Sequence, residues 1–272
     1  MKNKNNYSLQ HIDFLKTQKR KYLMIISFRI FLLVFFLALW ELLTRFEVLD
    51  SFIFSSPTRI LKAIENLHNE GKLYYHIGVT LSETVTGFIL STITGTILAI
   101  VLWWSVFTRK VLEPYIVVIN SLPKIALGPI IIIWFGIGFS SIVVMAILIS
   151  VVITIINMQT AFLNVDSDKI LLLKSMGASK FQILYKLMLP ATLPDFISVL
   201  KINIGLAWVG TVMGEYLSSS AGLGYLIVFG GQVFKLDLVM ASTIILCTLS
   251  ALMYGMIVLI EKLAIKKWRR LH

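Results

Sequence analysis

The chain has 272 residues, of which 57% are hydrophobic and only 14% charged, and its mean hydropathy is +0.86. Soluble domains contain roughly 45–50% apolar and about 25% charged residues, so this composition excludes an ordinary soluble domain and predicts a polytopic membrane protein. The formal net charge of +11 does not indicate a nucleic-acid partner, because the basic residues stand in short runs beside apolar segments, where they orient a protein in a membrane.

Six apolar segments are long enough to cross a bilayer, which requires about 20 mostly apolar residues. The third is predicted to begin near Pro114, since proline suits a first helical turn, and the glycine-containing turn 136–141 separates it from the fourth. The expected fold class is therefore an all-α integral membrane protein with six transmembrane helices. The predicted spans are 22–40, 84–108, 114–135, 141–163, 196–216 and 238–260.

Two further segments are apolar or amphipathic but are not predicted to span. Residues 57–73 carry apolar side chains at helical spacing among many charges, which predicts an amphipathic surface helix that stops at Gly71. Residues 217–234 are rich in serine and glycine, which favours a short, broken or re-entrant element. A seventh span there would place the two basic termini on opposite sides of the membrane.

The basic residues predict the orientation. Most of the 25 Lys and Arg residues lie in the two terminal tails, in the turn at 109–110 and in the segment 164–195, which are therefore expected to be cytoplasmic. The chain is expected in the plasma membrane with both termini cytoplasmic. The predicted organisation is a cytoplasmic tail (1–21), a first span with an external amphipathic helix (22–74), a permease core (75–265) and a second cytoplasmic tail (266–272).

The segment 164–195, which we call the basic loop, is a polar connection between two apolar spans. Asp168 is predicted to cap a first helix whose apolar face is formed by Leu171, Leu172 and Met176. Gly177 stands where a helix end favours a left-handed residue.

Ser179 is then predicted to cap a second helix, 180–189, that ends near Pro190. The resulting helix–turn–helix would lie against the bilayer, with Lys174, Lys180 and Lys186 in water. A soluble partner could clasp such a turn. On these residues alone, an ordinary amphipathic connector explains the pattern equally well.

Three parts of the sequence resemble ATP-binding-cassette importer permeases. In the basic loop, Gly177-Ala178-Ser179, the spacing to Leu189-Pro190 and the second proline, Pro194, are similar to the cytoplasmic Glu-Ala-Ala loop of that family. Residues 121–129 with 134–138, and residues 215–216 with 222–227, resemble its nitrate/sulfonate/taurine-type branch. The resemblance covers roughly residues 75–265. It departs where the family's acidic residue, six positions before the glycine, is Leu171, and where its two alanines are leucines 172 and 173.

The resemblance implies a type I importer permease fold without catalysis or cofactor, since a separate subunit hydrolyses ATP. The implied partners are ATPase subunits, an extracytoplasmic solute-binding protein, a second permease copy in a homodimer and membrane lipid, with no nucleic acid. The residues that the resemblance implies for ATPase coupling are Asp168, Leu171, Lys174, Gly177, Ala178, Ser179, Leu189 and Pro190.

The cargo expected from this branch is a small anionic solute that resembles nitrate, a sulfonate or taurine. A thiamine-pyrimidine or riboflavin-like precursor is the alternative cargo for the same machine. A secondary transporter or channel that works without ATP is the alternative from another class. That alternative predicts inverted repeats with broken helices in both halves, and segment 217–234 has no such counterpart in the first half.

Ionisable groups inside spans are candidates for function because their burial is costly. Lys124 could attract an anionic substrate along the translocation pathway, or it could snorkel or pair with Glu113. Glu215, next to the serine- and glycine-rich segment, could lie at the outer mouth of the pathway. Glu83 is expected to be solvated or paired near the outer end of its span, and Lys201 is expected to snorkel.

No metal, catalytic or nucleotide site is predicted. The four histidines are scattered, and the single cysteine, Cys247, lies in an apolar run. The glycines at 222 and 224 lack the longer glycine pattern of a nucleotide loop, and no GxxxxGK[ST] motif is present.

Overall fold

A computed structural model describes residues 9–268, so parts of the two predicted basic tails, 1–8 and 269–272, lie outside the described residues. Apart from short turns, the described residues are helical. A short 3₁₀ segment, Lys124–Leu127, precedes α6, and a π-helical segment, Leu184–Met188, joins α9 to α10. The helices are α1 Leu9–Arg45, α2 Ser51–Phe54, α3 Pro57–Asn69, α4 Leu73–Trp104, α5 Val106–Ser121, α6 Gly128–Phe135, α7 Phe139–Leu163, α8 Ser167–Ser175, α9 Lys180–Ile183, α10 Leu189–Ala191, α11 Leu193–Ser218, α12 Leu223–Gln232 and α13 Leu236–Trp268.

The chain forms two compact units, Met1–Ala63 and Ile64–His272. In the first unit, the Glu41 carboxylate at the end of α1 accepts hydrogen bonds from the Thr58 amide (3.1 Å) and the Thr58 hydroxyl (2.8 Å). A carboxylate is favourable at this position because the first turn of α3 has free N–H groups and a partial positive charge. The predicted amphipathic helix is confirmed as α3, and Gly71, with φ +70°, follows its end.

Three helices, α4, α7 and α11, build the core of the second unit. Their backbones approach closely at glycines: a Cβ at Gly87 would lie 2.6 Å from the Ala146 Cβ, and one at Gly214 would lie 2.9 Å from the Ile142 Cα. Gly210, one turn before Gly214 on α11, meets the Ala146 backbone. Small residues at such crossings allow the close van der Waals contact that holds helices together in a bilayer.

A buried polar contact joins the same three helices. The Asn203 amide on α11 donates hydrogen bonds to the hydroxyls of Thr92 on α4 (3.1 Å) and Thr154 on α7 (2.7 Å). All three side chains are buried. Because an unsatisfied amide would be costly in this apolar interior, the contact favours one relative register of the three helices.

The third predicted span differs from the structure. It begins at Val106 instead of near Pro114, so that Pro114 lies inside α5, and it is broken, with a bend of 87° between 106–121 and 124–135. Leu122 is extended (ψ 141°), as expected for a residue that precedes a proline. Among the described residues, five helices are long and apolar enough to cross a membrane, or six if the bent pair is one span.

The remaining elements agree with the sequence prediction in kind. The turn at 136–138 separates α6 from α7, with φ +79° at Gly136 and +111° at Gly138. The serine- and glycine-rich segment contains one short helix, α12, which contacts α13, α11 and α4. The two ends of the α4–α7–α11 core thus carry different elements: the basic loop at one end and α12 at the other.

Candidate functional site

The first helix of the basic loop, α8, is capped by Asp166. Its side chain accepts a hydrogen bond from the Asp168 amide (2.9 Å), and the helix begins at Ser167. The prediction that Asp168 is the cap was wrong, because the helix begins two residues earlier than expected. Asp168 lies in the first helical turn, where its negative charge still suits the helix dipole.

The turn after α8 closes the helix with a standard C-terminal cap. Gly177 is left-handed (φ +79°), its amide donates to the Lys174 carbonyl (2.9 Å), and the Ala178 amide donates to the Leu173 carbonyl (2.9 Å). These two bonds define a Schellman motif. The prediction for Gly177 is therefore confirmed.

Ser179 caps the second helix of the loop, as predicted. Its hydroxyl accepts from the Gln182 amide (3.3 Å), and the Gln182 side chain accepts from the Ser179 amide (2.8 Å), which is a complete capping box. The helical path then continues to residue 191, which confirms the predicted end near Pro190. The π-helical segment ends at Met188, two residues before Pro190, whose ring would clash in a regular α-helix with the carbonyl four residues earlier.

One side of the basic loop is attached to the core. Ile170, Leu173 and Ala178 pack against a buried cluster formed by the ends of α4, α7 and α11 together with the second loop helix. The Lys180 ammonium also donates to the Trp104 carbonyl at the end of α4 (3.4 Å). The loop is therefore a capped and anchored helix–turn–helix.

The other side of the loop exposes large apolar side chains. Leu171 is 65% exposed and Met176 is 74% exposed. Ile170 and Leu173 attach α8 to the core, and neither belongs to the apolar face predicted for this helix. The exposed apolar residues of the loop include Leu171, Leu172, Met176, Phe181 and Tyr185.

At the opposite end of the core, side chains of α4 and α11 accept hydrogen bonds from the free amide groups at the start of α12. The first four N–H groups of a helix have no partner within it. Here His76 Nδ1 accepts from the Gly222 amide (3.0 Å), and the Thr80 hydroxyl accepts from the Leu223 amide (2.8 Å). Glu215 Oε2 accepts from the amides of Gly224 and Tyr225 (3.3 Å for Tyr225). We call these three acceptor residues, His76, Thr80 and Glu215, the α12 anchor.

Two glycines make this approach possible. A Cβ at Gly224 would lie 2.6 Å from Glu215 Oε2, and Gly222 has φ +110° and faces the same carboxylate. The Thr80 hydroxyl in turn donates to Glu215 Oε1 (2.6 Å). Glu215 is 1% exposed, so it lies in the interior of the chain, and its predicted role in the translocation pathway stays a prediction.

Glu83 lies ten residues after the start of α4, inside that helix and not near the end of a span as predicted. It is 2% exposed, and its carboxyl group is adjacent to that of Glu215, which accepts from Thr80 one helical turn earlier on α4. Glu83 is therefore paired, as expected, but with a second acid. The one signal in the sequence was the presence of an acid near the end of a predicted span, which does not identify its partner.

The two basic residues predicted inside spans have different surroundings. Lys124 lies at the break between α5 and α6, half-buried, and its ammonium donates to the Asn120 side chain (3.4 Å). Lys201 pairs with Glu261 of α13 at 2.6 Å, beside a largely apolar groove of about 630 Å³ between α11 and α13. Lys201 is therefore explained by pairing.

No group of three or more His, Cys, Asp or Glu side chains among the described residues is arranged to hold a metal ion.

The comparison with known proteins decides the family. Residues 91–266, more than half of the chain, match the sequence model of the binding-protein-dependent transport system inner membrane component. The chain belongs to this family. Its relatives include ABC transporter permeases, and the match extends from within α4 through the core and the basic loop to α13.

Three relatives illustrate the family. The "Probable ABC transporter permease protein" of Haemophilus influenzae is 33% identical over 80% of this chain and 88% of its own length. The formylaminopyrimidine transport permease of Halalkalibacterium halodurans is 31% identical over 71% of this chain and 77% of its own. The taurine transport system permease of Escherichia coli is 23% identical over 80% of this chain and 81% of its own.

Solved structures agree on the fold. An inward-facing methionine ABC transporter matches with a TM-score of 0.63 and 20% identity, over 70% of this chain and 94% of its own. The permease therefore has the type I ABC importer fold expected from the sequence resemblance.

Proposed function

We propose that this permease is the membrane subunit of an ATP-driven importer whose basic loop docks the ATPase subunit. One observation carries this proposal: the basic loop exposes large apolar side chains on one side, while its other side is capped and packed against the core. Exposed contiguous apolar surface commonly marks a protein interface. In this chain, Leu171 stands in place of the family's acidic residue, so we propose that the docking contact is more apolar than the family pattern.

The anchoring of the loop supports a mechanical role. Ile170 and Leu173 pack α8 against a buried cluster to which the three core helices and the second loop helix all contribute, and the Schellman turn and capping box stabilise the shape of the loop. A movement of the docked ATPase would therefore reach α4, α7 and α11 directly. ATP binding would close the ATPase pair and shift the core helices, and the pathway would open to the other side.

The proposed orientation places the basic loop and both termini in the cytoplasm. It rests on the distribution of Lys and Arg, because positively charged connections stay on the cytoplasmic side. The family description names a binding-protein-dependent system, which supports a solute-binding protein as partner, and we propose that it acts on the other side, where α12 lies. We further propose that two copies of the permease pair, and cross-linking of the purified full-length transporter would reveal a homodimer or a second permease.

A substitution on the exposed face tests the docking proposal. Leu171→Asn should reduce co-purification of the ATPase and ATP-dependent uptake in proteoliposomes that contain the whole transporter, while membrane insertion stays normal. Lys169→Asn is the matched control, since Lys169 is exposed on the same helix and pairs only weakly with Asp166 (4.0 Å). Equal effects of both substitutions would contradict apolar docking, and uptake without ATP would favour a secondary transporter.

The proposed cargo is a small anionic solute of the sulfonate or taurine type. Lys124 supports this proposal because it places a cation at the break between α5 and α6, and the N-terminus of a broken helix also favours negative charge. A formylaminopyrimidine-like cargo is the second candidate, because the relative that transports it is 31% identical to this chain.

Uptake measurements separate the two cargoes. Proteoliposomes with the complete transporter should accumulate labelled taurine or an alkanesulfonate, and Lys124→Gln should lower this uptake more than ATPase activity. Accumulation of formylaminopyrimidine, with no effect of Lys124→Gln, would favour the second cargo and remove Lys124 from the pathway.

A further inference from the structure

Two acidic side chains meet in the interior, between α4 and α11. Glu83 and Glu215 are 2% and 1% exposed, and Glu83 lies one helical turn after Thr80 on α4, whose hydroxyl donates to Glu215 Oε1 (2.6 Å), so the two carboxyl groups are adjacent. The donors to Glu215 among the described residues are the Thr80 hydroxyl and the amides of Gly224 and Tyr225, none of which carries a positive charge. The titratable groups nearby are His76 of α4, Tyr216 of α11 and Tyr225 of α12, and His76 uses its Nδ1 as an acceptor.

Two adjacent carboxylates cannot both be charged in such a place. Each charge would lose its hydration, and the two charges would repel at contact distance without a cation to balance them. A hydrogen bond between two carboxyl groups also requires a proton on one of them, because an ionised carboxylate only accepts.

The hydrogen bonds identify which of the two groups is ionised. Glu215 accepts from the Thr80 hydroxyl and from the amides of Gly224 and Tyr225, and it lies at the N-terminus of α12. Three donors and a helix N-terminus stabilise a negative charge. Glu83 has no comparable donors: its Oε2 has no partner among the described residues.

We propose that Glu83 and Glu215 share one proton, that Glu83 is the neutral acid that donates it to Glu215, and that this pair attaches α12 to α4 and α11. Both acids are then positioning residues for α12. Loss of the shared proton at alkaline pH would leave two charges in contact and would loosen the start of α12. This proposal depends on neither the cargo nor the ATPase, so its failure would not affect the proposed function.

Infrared spectroscopy of the purified full-length permease tests the protonation state. A protonated carboxyl group has a carbonyl stretch that is distinct from that of carboxylates, and we expect this band at neutral pH in the wild type and its loss in Glu83→Gln. Glu70→Gln is the control and should leave the band unchanged, because Glu70 is exposed and its hydrogen bond with Lys72 lowers the pKa of Glu70. Absence of the band in the wild type, or its persistence in Glu83→Gln, would overturn the proposal.

Paired substitutions test which acid holds the proton. Glu83→Gln should keep the wild-type melting temperature, because the glutamine amide can donate to Glu215 as the acid does. Glu215→Gln should lower the melting temperature by several degrees, since a glutamine whose oxygen stays on the Gly224 and Tyr225 amides turns its NH2 group, which cannot accept, toward the Thr80 hydroxyl. The reverse order would assign the proton to Glu215 and contradict the proposal.

The pH dependence gives a readout that a purely structural contact would not change. The melting temperature of the wild type should fall at alkaline pH more steeply than that of Glu83→Gln, which has no proton to lose at this position. Hydrogen exchange at residues 222–226 should rise over the same pH range in the wild type only. Parallel pH profiles for the two proteins would overturn the shared-proton assignment.

Discussion

The two ends of the α4–α7–α11 core hold their short helices in opposite ways. At one end, the basic loop is capped by neighbours in sequence: Asp166 caps α8, Gly177 closes it and Ser179 starts the next helix. At the other end, α12 is capped by His76 and Thr80, which lie 146 and 143 residues before the amides that they bind, and by Glu215.

The basic loop therefore presents a surface that is available for contact, whereas the α12 anchor is a buried attachment. Local caps leave the outer side chains of the basic loop free, and Leu171 and Met176 are exposed. The α12 anchor instead buries its polar groups between helices, where each unsatisfied group is costly. Damage to the anchor should therefore spread through the core, whereas damage to a loop cap should stay local.

The largest effect is expected for Gly224→Val. The new side chain would collide with Glu215 and approach the Val212 carbonyl, which lies 3.3 Å from an ideal Cβ, so α12 could not keep its position. We expect a loss of about 3 kcal/mol of stability. Gly231→Val on the same helix is the control, since no atom lies within 4 Å of its Cβ position. Melting of the detergent-solubilised protein measures both, and similar losses would contradict the steric explanation.

The next effect is expected for Thr80→Val, which keeps the shape of the side chain but removes its hydroxyl. The Leu223 amide would lose its acceptor and Glu215 would lose a donor, for a cost of about 2 kcal/mol. Thr94→Val on the same helix removes an exposed hydroxyl that bonds only to backbone carbonyls, Leu90 at 2.7 Å and Ser91 at 3.4 Å. If the two variants have the same melting temperature, the position of α12 does not depend on the Thr80 hydroxyl.

A smaller and more local effect is expected for Gly177→Val. The position has open space around it but is left-handed, so a β-branched residue costs about 1–2 kcal/mol through backbone strain alone. Gly177→Asn is the control, because asparagine tolerates this conformation. ATP-dependent uptake should fall in the valine variant and persist in the asparagine variant, while both proteins insert into the membrane. Loss of uptake in both would point to a contact at Gly177 itself.

The smallest effect is expected for Ser179→Ala, which removes one half of the capping box and costs about 1 kcal/mol. Hydrogen exchange should rise at residues 180–184, and the global melting temperature should change little. Ser175→Ala is the control, since its hydroxyl only bonds to the Leu172 carbonyl of its own helix (2.8 Å). Increased exchange in α12 would show that the two ends are not independent.

The sequence predicted most of the fold for reasons that act over short distances. Apolar length located the spans, and the chemistry of Gly177 and Ser179 located the turn of the basic loop. The same reasoning missed the cap by two residues at Asp168, because Asp166 and Asp168 are both able to cap. It also missed the break at Leu122-Pro123, because the total length of an apolar segment does not distinguish a straight helix from a bent pair, even where Pro123 and Lys124 interrupt it.

The two candidate sites also differ in whether local sequence or distant contacts determine them. The sequence could assign a shape to the basic loop, because each cap and its target lie within five residues. It marked Glu83 and Glu215 only as isolated acids near the ends of spans, and it found no use for the glycines at 222 and 224. Their roles depend on a contact between helices that are more than 100 residues apart in the chain.

By itself, the sequence determined that this protein is a helical membrane protein with a charged, locally capped loop between its spans, and the resemblance of three segments indicated an importer permease. Apolar length, charge distribution and turn chemistry act between neighbours, so they can be read along the chain. Only the tertiary structure decided that Ile170 and Leu173 attach the loop, that Leu171 is left exposed, and that Glu215 binds the start of α12 beside a second acid. These contacts depend on which helix faces meet, and the packing of α4, α7 and α11 determines which faces meet.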